Sequence, residues 1–257
     1  MRNRVAEPVE RGSAILPSVR RLPPVLLFDL DDTILAFSAP VDASWQRACA
    51  EYLAQRDSGL ATQALRDAID RAAHDFWSDA ARAEAGRMDF EKSRREVVAA
   101  SFDALGVEDA LGACALADRY GELRERDIEP FPGAIETLGE LRSRGVRLGL
   151  VTNGAAPAQR AKIDRFALAP LFDAILVEGE WGEGKPARSI FDAALDRLDA
   201  QPEDAWMVGD NLLADIHGAA QVGICTVWND FARTGLPATA PATPDRIVTA
   251  IRELLAP

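Results

Sequence analysis

Val25-Leu26-Leu27-Phe28-Asp29-Leu30-Asp31-Asp32-Thr33 is the stretch on which the reading of this chain turns. Its first four residues form an unbroken apolar run with no polar alternation, the form taken by a short strand that helices cover on both faces in a parallel sheet. Polar residues able to do chemistry follow at once. Three other runs repeat the pattern: 148–151 before Thr152, 175–177 before Glu178, and 206–208 before Gly209. Helical patterns lie between them. Segment 134–144 carries Ile135, Leu138 and Leu141 at helical spacing and stops at Gly145, and segments 158–166, 188–198 and 212–221 read the same way. Strands alternating with helices predict an α/β fold, a Rossmann-like, doubly wound parallel sheet. Segments 224–228 and 246–248 read as later strands, and 249–255 as a closing helix.

The block from Phe37 to Ile128 has a different character: rich in Ala, Arg and Glu, without β-branched runs, and helical in period throughout. Trp45, Cys49 and Tyr52/Leu53 make one stripe, Leu65, Ile69 and Ala72/Ala73 a second, Val97/Val98 and Phe102/Leu105 a third, and 111–123 a fourth. Four helices are expected, inserted after the first strand because α/β features stand on both sides. Glu129-Pro130-Phe131-Pro132-Gly133 marks the return to the sheet.

Composition narrows the function classes. The chain has 257 residues, 48% of them hydrophobic, enough for a real core and against disorder as the main state. With 29 Lys+Arg against 41 Asp+Glu the net charge is −12, which repels a nucleic-acid backbone but leaves small phosphorylated molecules open as partners. Cys49, Cys114 and Cys225 show no paired spacing, which fits a reducing, cytoplasmic home. His74 and His217 are the only histidines, too few for a three-histidine zinc site, so any metal chemistry should use oxygen ligands. No apolar run reaches the roughly 20 residues of a membrane helix, and residues 1–22 read as a tail without a secretory apolar stretch.

In an open parallel sheet, ligands bind beyond the carboxyl ends of the strands, so residues that directly follow distant strands converge in one crevice. That gathers Asp29, Asp31, Thr152, Asn153, Lys185, Asp210 and Asp215. Clustered carboxylates repel one another unless a hard cation sits among them, and Mg²⁺ suits such a donor set.

These motifs resemble those of the haloacid dehalogenase superfamily. Asp29-Leu30-Asp31-Asp32-Thr33 matches its DxDxT signature, Thr152-Asn153-Gly154 is similar to its second motif, Lys185-Pro186 to its third, and Gly209-Asp210 with Asp215 to its fourth. The likeness extends over about residues 24–255. It implies a core of residues 23–37 and 129–257 with a helical cap over 38–128, hinged near 36–40 and 128–132 and closing over the crevice. It also implies a Mg²⁺-dependent phosphatase acting on a small organic phosphate monoester. Asp29 would be the nucleophile and Asp31 the acid and base. Thr152 and the amides near Asn153 and Gly154 would hold phosphoryl oxygens, and Lys185 would offset charge. Metal ligands would be Asp29, the Asp31 backbone carbonyl and Asp210, with Asp215 behind them. Dehalogenases of the superfamily lack an acid at the second position, so Asp31 favours phosphoryl chemistry. A phosphosugar mutase and a phospho-accepting signalling module remain as alternatives.

Other residues carry plainer expectations. Asp32 should face away as a turn residue, Thr33 should brace its loop through the hydroxyl, and His217 should be structural. Trp45, Phe76, Trp77, Arg87 and Met88 line a pocket or fill a core, the latter being the commoner fate of aromatics at helical spacing. Arg82, Arg87, Arg94 and Arg95, mixed with acids, read as a solvated helix face.

Overall fold

The computed structural model describes residues 22–56 and 59–256; most of the expected tail lies outside them. The opening run becomes β1 (Val25–Phe28), its four side chains inaccessible to solvent. The chain then leaves the sheet through α1 (Val41–Leu53), α2 (Thr62–Ser78), α3 (Ala80–Met88), α4 (Phe90–Leu105) and α5 (Ala110–Asp127). It returns through α6 (Ala134–Ser143) to β2 (Arg147–Thr152), α7 (Ala156–Arg165), β3 (Ala174–Val177), the single turn α8 (Glu178–Trp181) and α9 (Arg188–Arg197). β4 (Ala205–Gly209), α10 (Gly218–Gln221), β5 (Cys225–Asn229) and β6 (Arg246–Val248) complete the sheet.

All strand pairs among the described residues are parallel, in the order β3-β2-β1-β4-β5-β6. Alternate residues feed two cores. Leu26, Phe28, Leu148 and Leu150 face α6 and α7, while Val25, Leu27, Val151 and Met207 face α9 and α10. Each such side chain contributes about 1.5–3 kcal/mol by leaving water, and both sheet faces demand cover, which is why the runs are unbroken rather than alternating. From β1 the chain winds outward first through β2 and β3 and then, on the other side, through β4, β5 and β6. The crevice at this reversal opens at the carboxyl end of β1. No helix among the described residues is long and apolar enough to cross a membrane.

The helical insert builds its own core from Trp45, Cys49, Leu65, Ile69, Val98, Phe102, Leu116 and Tyr120, with Trp45 stacked on Tyr120 at 3.6 Å between ring centroids. Among the described residues five α-helices stand here rather than four. The additional one, α3, buries only Gly86, so no apolar stripe announces it; Asp79 caps its first turn at Arg82 N (2.8 Å), and Asp89 ends it while capping α4 at Lys92 N. The fourth stripe also starts later than expected, because Leu111 is exposed and burial begins near Ala113. Trp45 and Phe76 belong to the core, whereas Trp77 and Met88 are 37% and 41% exposed.

Two further departures follow from local bonding. Segment 249–255 is not an α-helix but a short 3-10 turn over Ile251–Leu255, anchored by Ile251 and Leu254. Segment 212–217 is wound as a π-helical turn, with Asn211 O accepting from both Asp215 N (2.9 Å) and Ile216 N (3.3 Å).

The chain's exit to the insert and its return run side by side. Ala36 N donates to Glu129 O (2.8 Å) and Phe131 N to Ile34 O (2.9 Å). Arg165 of α7 clasps the end of α5, donating to the carbonyls of Glu125, Arg126 and Ile128.

Candidate active site

Asp29 extends the β1–β4 ladder through its N–H, which donates to Val208 O (2.9 Å). Its side chain is buried where the crevice begins. Lys185 Nζ lies 2.6 Å from Asp29 Oδ1 and 2.7 Å from Asp215 Oδ1, so one buried ammonium bridges two carboxylates supplied by different strand ends. The Asn153 side chain grips the lysine's backbone: Nδ2 donates to Lys185 O (2.7 Å) and Oδ1 accepts from Lys185 N (2.8 Å). The π turn after β4 brings Asp215 inward against Gly209, where a Cβ would stand 2.2 Å from an Asp215 oxygen. Glycine at 209 is therefore a requirement of this close approach. Asn211 N donates to Asp215 Oδ2 (3.0 Å), and Trp228 Nε1 holds the Asp210 carbonyl (2.7 Å).

One carboxylate oxygen from each of Asp29, Asp210 and Asp215 lies within 4.8 Å of the others. Burial, followed by the nearby Asp215 and Asp31, pushes the Asp29 carboxyl up to about 7 against the pull of Lys185. Burial, with Asp29 and Asp215 beside it, raises Asp210 to about 9. For Lys185 burial opposes the charge, but Asp215 and Asp29 more than offset it and raise its pKa. An all-oxygen cluster of mutually repelling carboxylates fits a hard divalent cation. Asp29 and Asp210 would hold it, Asp215 stands beside them, and Asp31 could contribute its backbone carbonyl.

A pH dependence follows. Raised carboxyl pKa values mean that the folded chain keeps protons which the unfolded chain has already released, so stability falls as pH rises from about 4 through about 7 and about 9. Melting temperatures of the metal-free protein should drop between about pH 5 and about pH 9, and saturating Mg²⁺ should flatten that slope. A flat metal-free profile would contradict the cluster's electrostatics.

Asp31 also lines the cleft, but its side chain is engaged: Lys162 Nζ sits 2.6 and 2.5 Å from its two oxygens and Gln159 Nε2 3.1 Å from Oδ2. Gln159 donates as well to Thr152 Oγ1 (2.6 Å) and Asn153 O (2.6 Å). Gly154 N–H, expected to be offered to a phosphoryl oxygen, donates to Glu178 Oε2 at 2.7 Å. Gln159 and Lys162 were not foreseen from sequence, and Glu178 was read only as a polar residue following a strand, without a place in the site. The first two stand three apart on α7, Gln159 buried on the same face as Ile163 one turn on, and a polar residue on that apolar face next to the Thr152 loop is the signal that could have found it. Glu178 directly follows β3, the position already used to select the others.

Asp32 does not face away. It is buried in the left-handed region (φ 59°), raised in pKa by burial, and accepts from Ser38 N (2.8 Å) and the Ser38 hydroxyl, pinning the start of the insert. Thr33 does not brace through its hydroxyl, which is buried without a hydrogen-bond partner. His217 contacts Gln221 on the protein surface. Arg87 reaches from α3 to within 3.7 Å of Glu178, joining the insert to the rim of the crevice.

A family model of haloacid dehalogenase-like hydrolases matches residues 23–223. The chain belongs to that family. This hydrolase is 40% identical over 151 residues to the phosphoserine phosphatase of Thermus thermophilus, a stretch covering 58% of this chain and 60% of that protein. It is 30% identical over 203 residues to the glyceraldehyde 3-phosphate phosphatase of Methanopyrus kandleri, covering 79% and 82%. The match spans only 49% and 47% of two other curated phosphatase relatives. The fold of the magnesium-bound HAD-hydrolase YfnB from Bacillus subtilis is similar, with a TM-score of 0.68 at 24% identity, covering 91% of this chain and 98% of that one. The chain is thus a member of a hydrolase family and has phosphatase relatives.

Proposed function

We propose that this hydrolase is a Mg²⁺-dependent phosphatase that cleaves a small organic phosphate monoester through an aspartyl-phosphate on Asp29. The observation that carries this reading is the placement of Asp29: a buried carboxylate held by Lys185 and opening onto a cleft of about 360 Å³ that Asp31, Thr152 and Asp210 also line. In the first half-reaction an Asp29 oxygen bonds to phosphorus, the ester P–O bond breaks, and Asp31 gives a proton to the leaving oxygen. In the second, water bonds to phosphorus, Asp31 takes its proton, and inorganic phosphate leaves Asp29. Lys162 holds the ionised form of Asp31 between the halves. Lys185 keeps Asp29 oriented and offsets charge, while Gln159 fixes the Thr152 hydroxyl at the rim. When bound, Mg²⁺ supplies charge compensation to the phosphoryl oxygens. The helical insert acts as a cap that excludes water, hinged at the paired connectors near 36–40 and 128–132.

Phosphate release from p-nitrophenyl phosphate, measured with Mg²⁺, with chelator and after metal is restored, tests the reading. Chelation should lower the rate by at least about a hundredfold and addition of Mg²⁺ should restore it. Accumulating inorganic phosphate identifies hydrolysis rather than return of the phosphoryl group to a sugar. An equal rate under chelation would overturn the metal dependence.

A further inference from the structure

The insert was expected to present Arg94 to solvent, yet its side chain is only 15% exposed. Arg94 of α4 lies against α5, its guanidinium passing so near Gly121 that a Cβ there would stand 2.8 Å from it. Arg124 of α5 stacks on Phe37, 3.7 Å from the ring centroid, and makes one long hydrogen bond to Phe37 O (3.4 Å). Both line a cavity of about 430 Å³ walled by the insert, with Trp45, Tyr120 and Phe90 among its lining. Arg87 and Phe90 line this cavity and the catalytic cleft alike, so the two spaces adjoin.

The charges in this cavity do not balance. Three arginines line it against one carboxylate, Asp70, which is already paired with Arg66 at 3.0 Å. Among the described residues Arg124 has no carboxylate within ion-pair distance. The partner of Arg94, Glu125, stands off at 3.6 Å with a side chain 70% exposed, and that of Arg87 is Glu178 at 3.7 Å. Moreover, the Nε atoms of Arg87, Arg94 and Arg124 are all buried without a hydrogen-bond partner. Buried guanidinium groups are costly unless an anion satisfies them, and their planar donors match carboxylate and phosphate oxygens.

We propose that this cavity is the second half of the substrate site, where Arg94 and Arg124, with Arg87 at the mouth, bind a second anionic group on the phosphate monoester whose phosphoryl group meets Asp29. That group is a carboxylate or a further phosphate. The inference rests on the phosphatase reading and names its substrate class: a small phosphate ester that is anionic at both ends. Selectivity arises because a substrate with a neutral tail leaves the guanidinium groups unpaired.

The test compares kcat/KM of the Mg²⁺-loaded protein on matched substrates: glycerol phosphate against phosphoglycerate, and a sugar phosphate against the corresponding phosphorylated aldonate and against the sugar bisphosphate. The aldonate and bisphosphate arms separate the two anion sources. The anionic member should be preferred by at least about tenfold, chiefly through KM, and Arg124→Gln or Arg94→Gln should bring that ratio down toward one. Arg124→Lys, which keeps the charge but loses the fork, should recover part of it. Equal or lower kcat/KM for every anionic member, or an equal loss for both members in the variants, would overturn the inference and leave the phosphatase reading standing. If no compound is hydrolysed, the phosphatase reading fails, and calorimetric titration with phosphonates bearing or lacking a carboxylate still decides the cavity. Tighter binding of the carboxylated phosphonate, lost in Arg124→Gln, supports the anion site; equal affinities overturn it.

Discussion

Asp29→Asn is expected to lower phosphate release from an aryl phosphate by at least about a thousandfold, because the amide cannot open the covalent route and the remaining groups can only position the ester. The same substitution should not destabilise the fold. The Asp29 carboxyl is raised in pKa because burial and the neighbouring Asp215 and Asp31 disfavour its charge, so a neutral isostere relieves repulsion above about pH 7. Lys185 keeps Asp215 as a partner at 2.7 Å. The expected signature is therefore a lost activity with a metal-free melting temperature that is level or raised at about pH 8. Mass spectrometry of the wild-type protein quenched during turnover should show one added phosphoryl group, absent from the variant. Retained activity would remove Asp29 from the centre of the reaction; a collapsed melting temperature would assign it a structural role instead.

Lys185→Met carries the second large effect, and here stability and rate should fall together. Lys185 is 4% exposed and bridges Asp29 and Asp215, with Asp210 in the same cluster. Removing the cation strands buried carboxylates, which should cost about 3–5 kcal/mol in the metal-free protein. Mg²⁺ should recover more stability in the variant than in the wild type, since the ion becomes the only strong positive charge in the cluster. Turnover should drop by about 100–1000-fold even at saturating Mg²⁺, because the amine also compensates the charge on the transferring group. Denaturant melts with and without Mg²⁺, paired with steady-state rates, read both parts. Equal stability of variant and wild type in chelator would show that the carboxylates do not depend on Lys185.

Sequence made the sheet legible because its strands are buried on both faces and leave no freedom for polar residues within the runs. The residues at the strand ends were legible for the same reason: a polar group directly after such a run has to emerge at the carboxyl edge. What escaped were contacts made by helices. Gln159 and Lys162 on α7 read as ordinary helix polar residues until the fold brings Asp31, more than a hundred residues earlier in the chain, within 3.1 and 2.5 Å of them. Arg94 was misread in the same way, since a charge run seems solvated until α5 packs across it. α3 escaped because a helix held by its Asp caps and its neighbours needs no apolar stripe. Asp215 was expected in the crevice, but the π winding after Asn211 that turns it inward was not legible.

The paired connectors have a consequence for how such a chain can diversify. Departure and re-entry of the helical block are neighbouring rails, tied by Ala36 N to Glu129 O and Phe131 N to Ile34 O. A module attached at a single doorway can be exchanged like a cassette: its replacement need only bring its two ends close together, while the strand register and the carboxylate cluster stay undisturbed. On the proposed reading, taste for one ester or another can thus drift in the cassette while bond-breaking machinery stays inherited in the sheet.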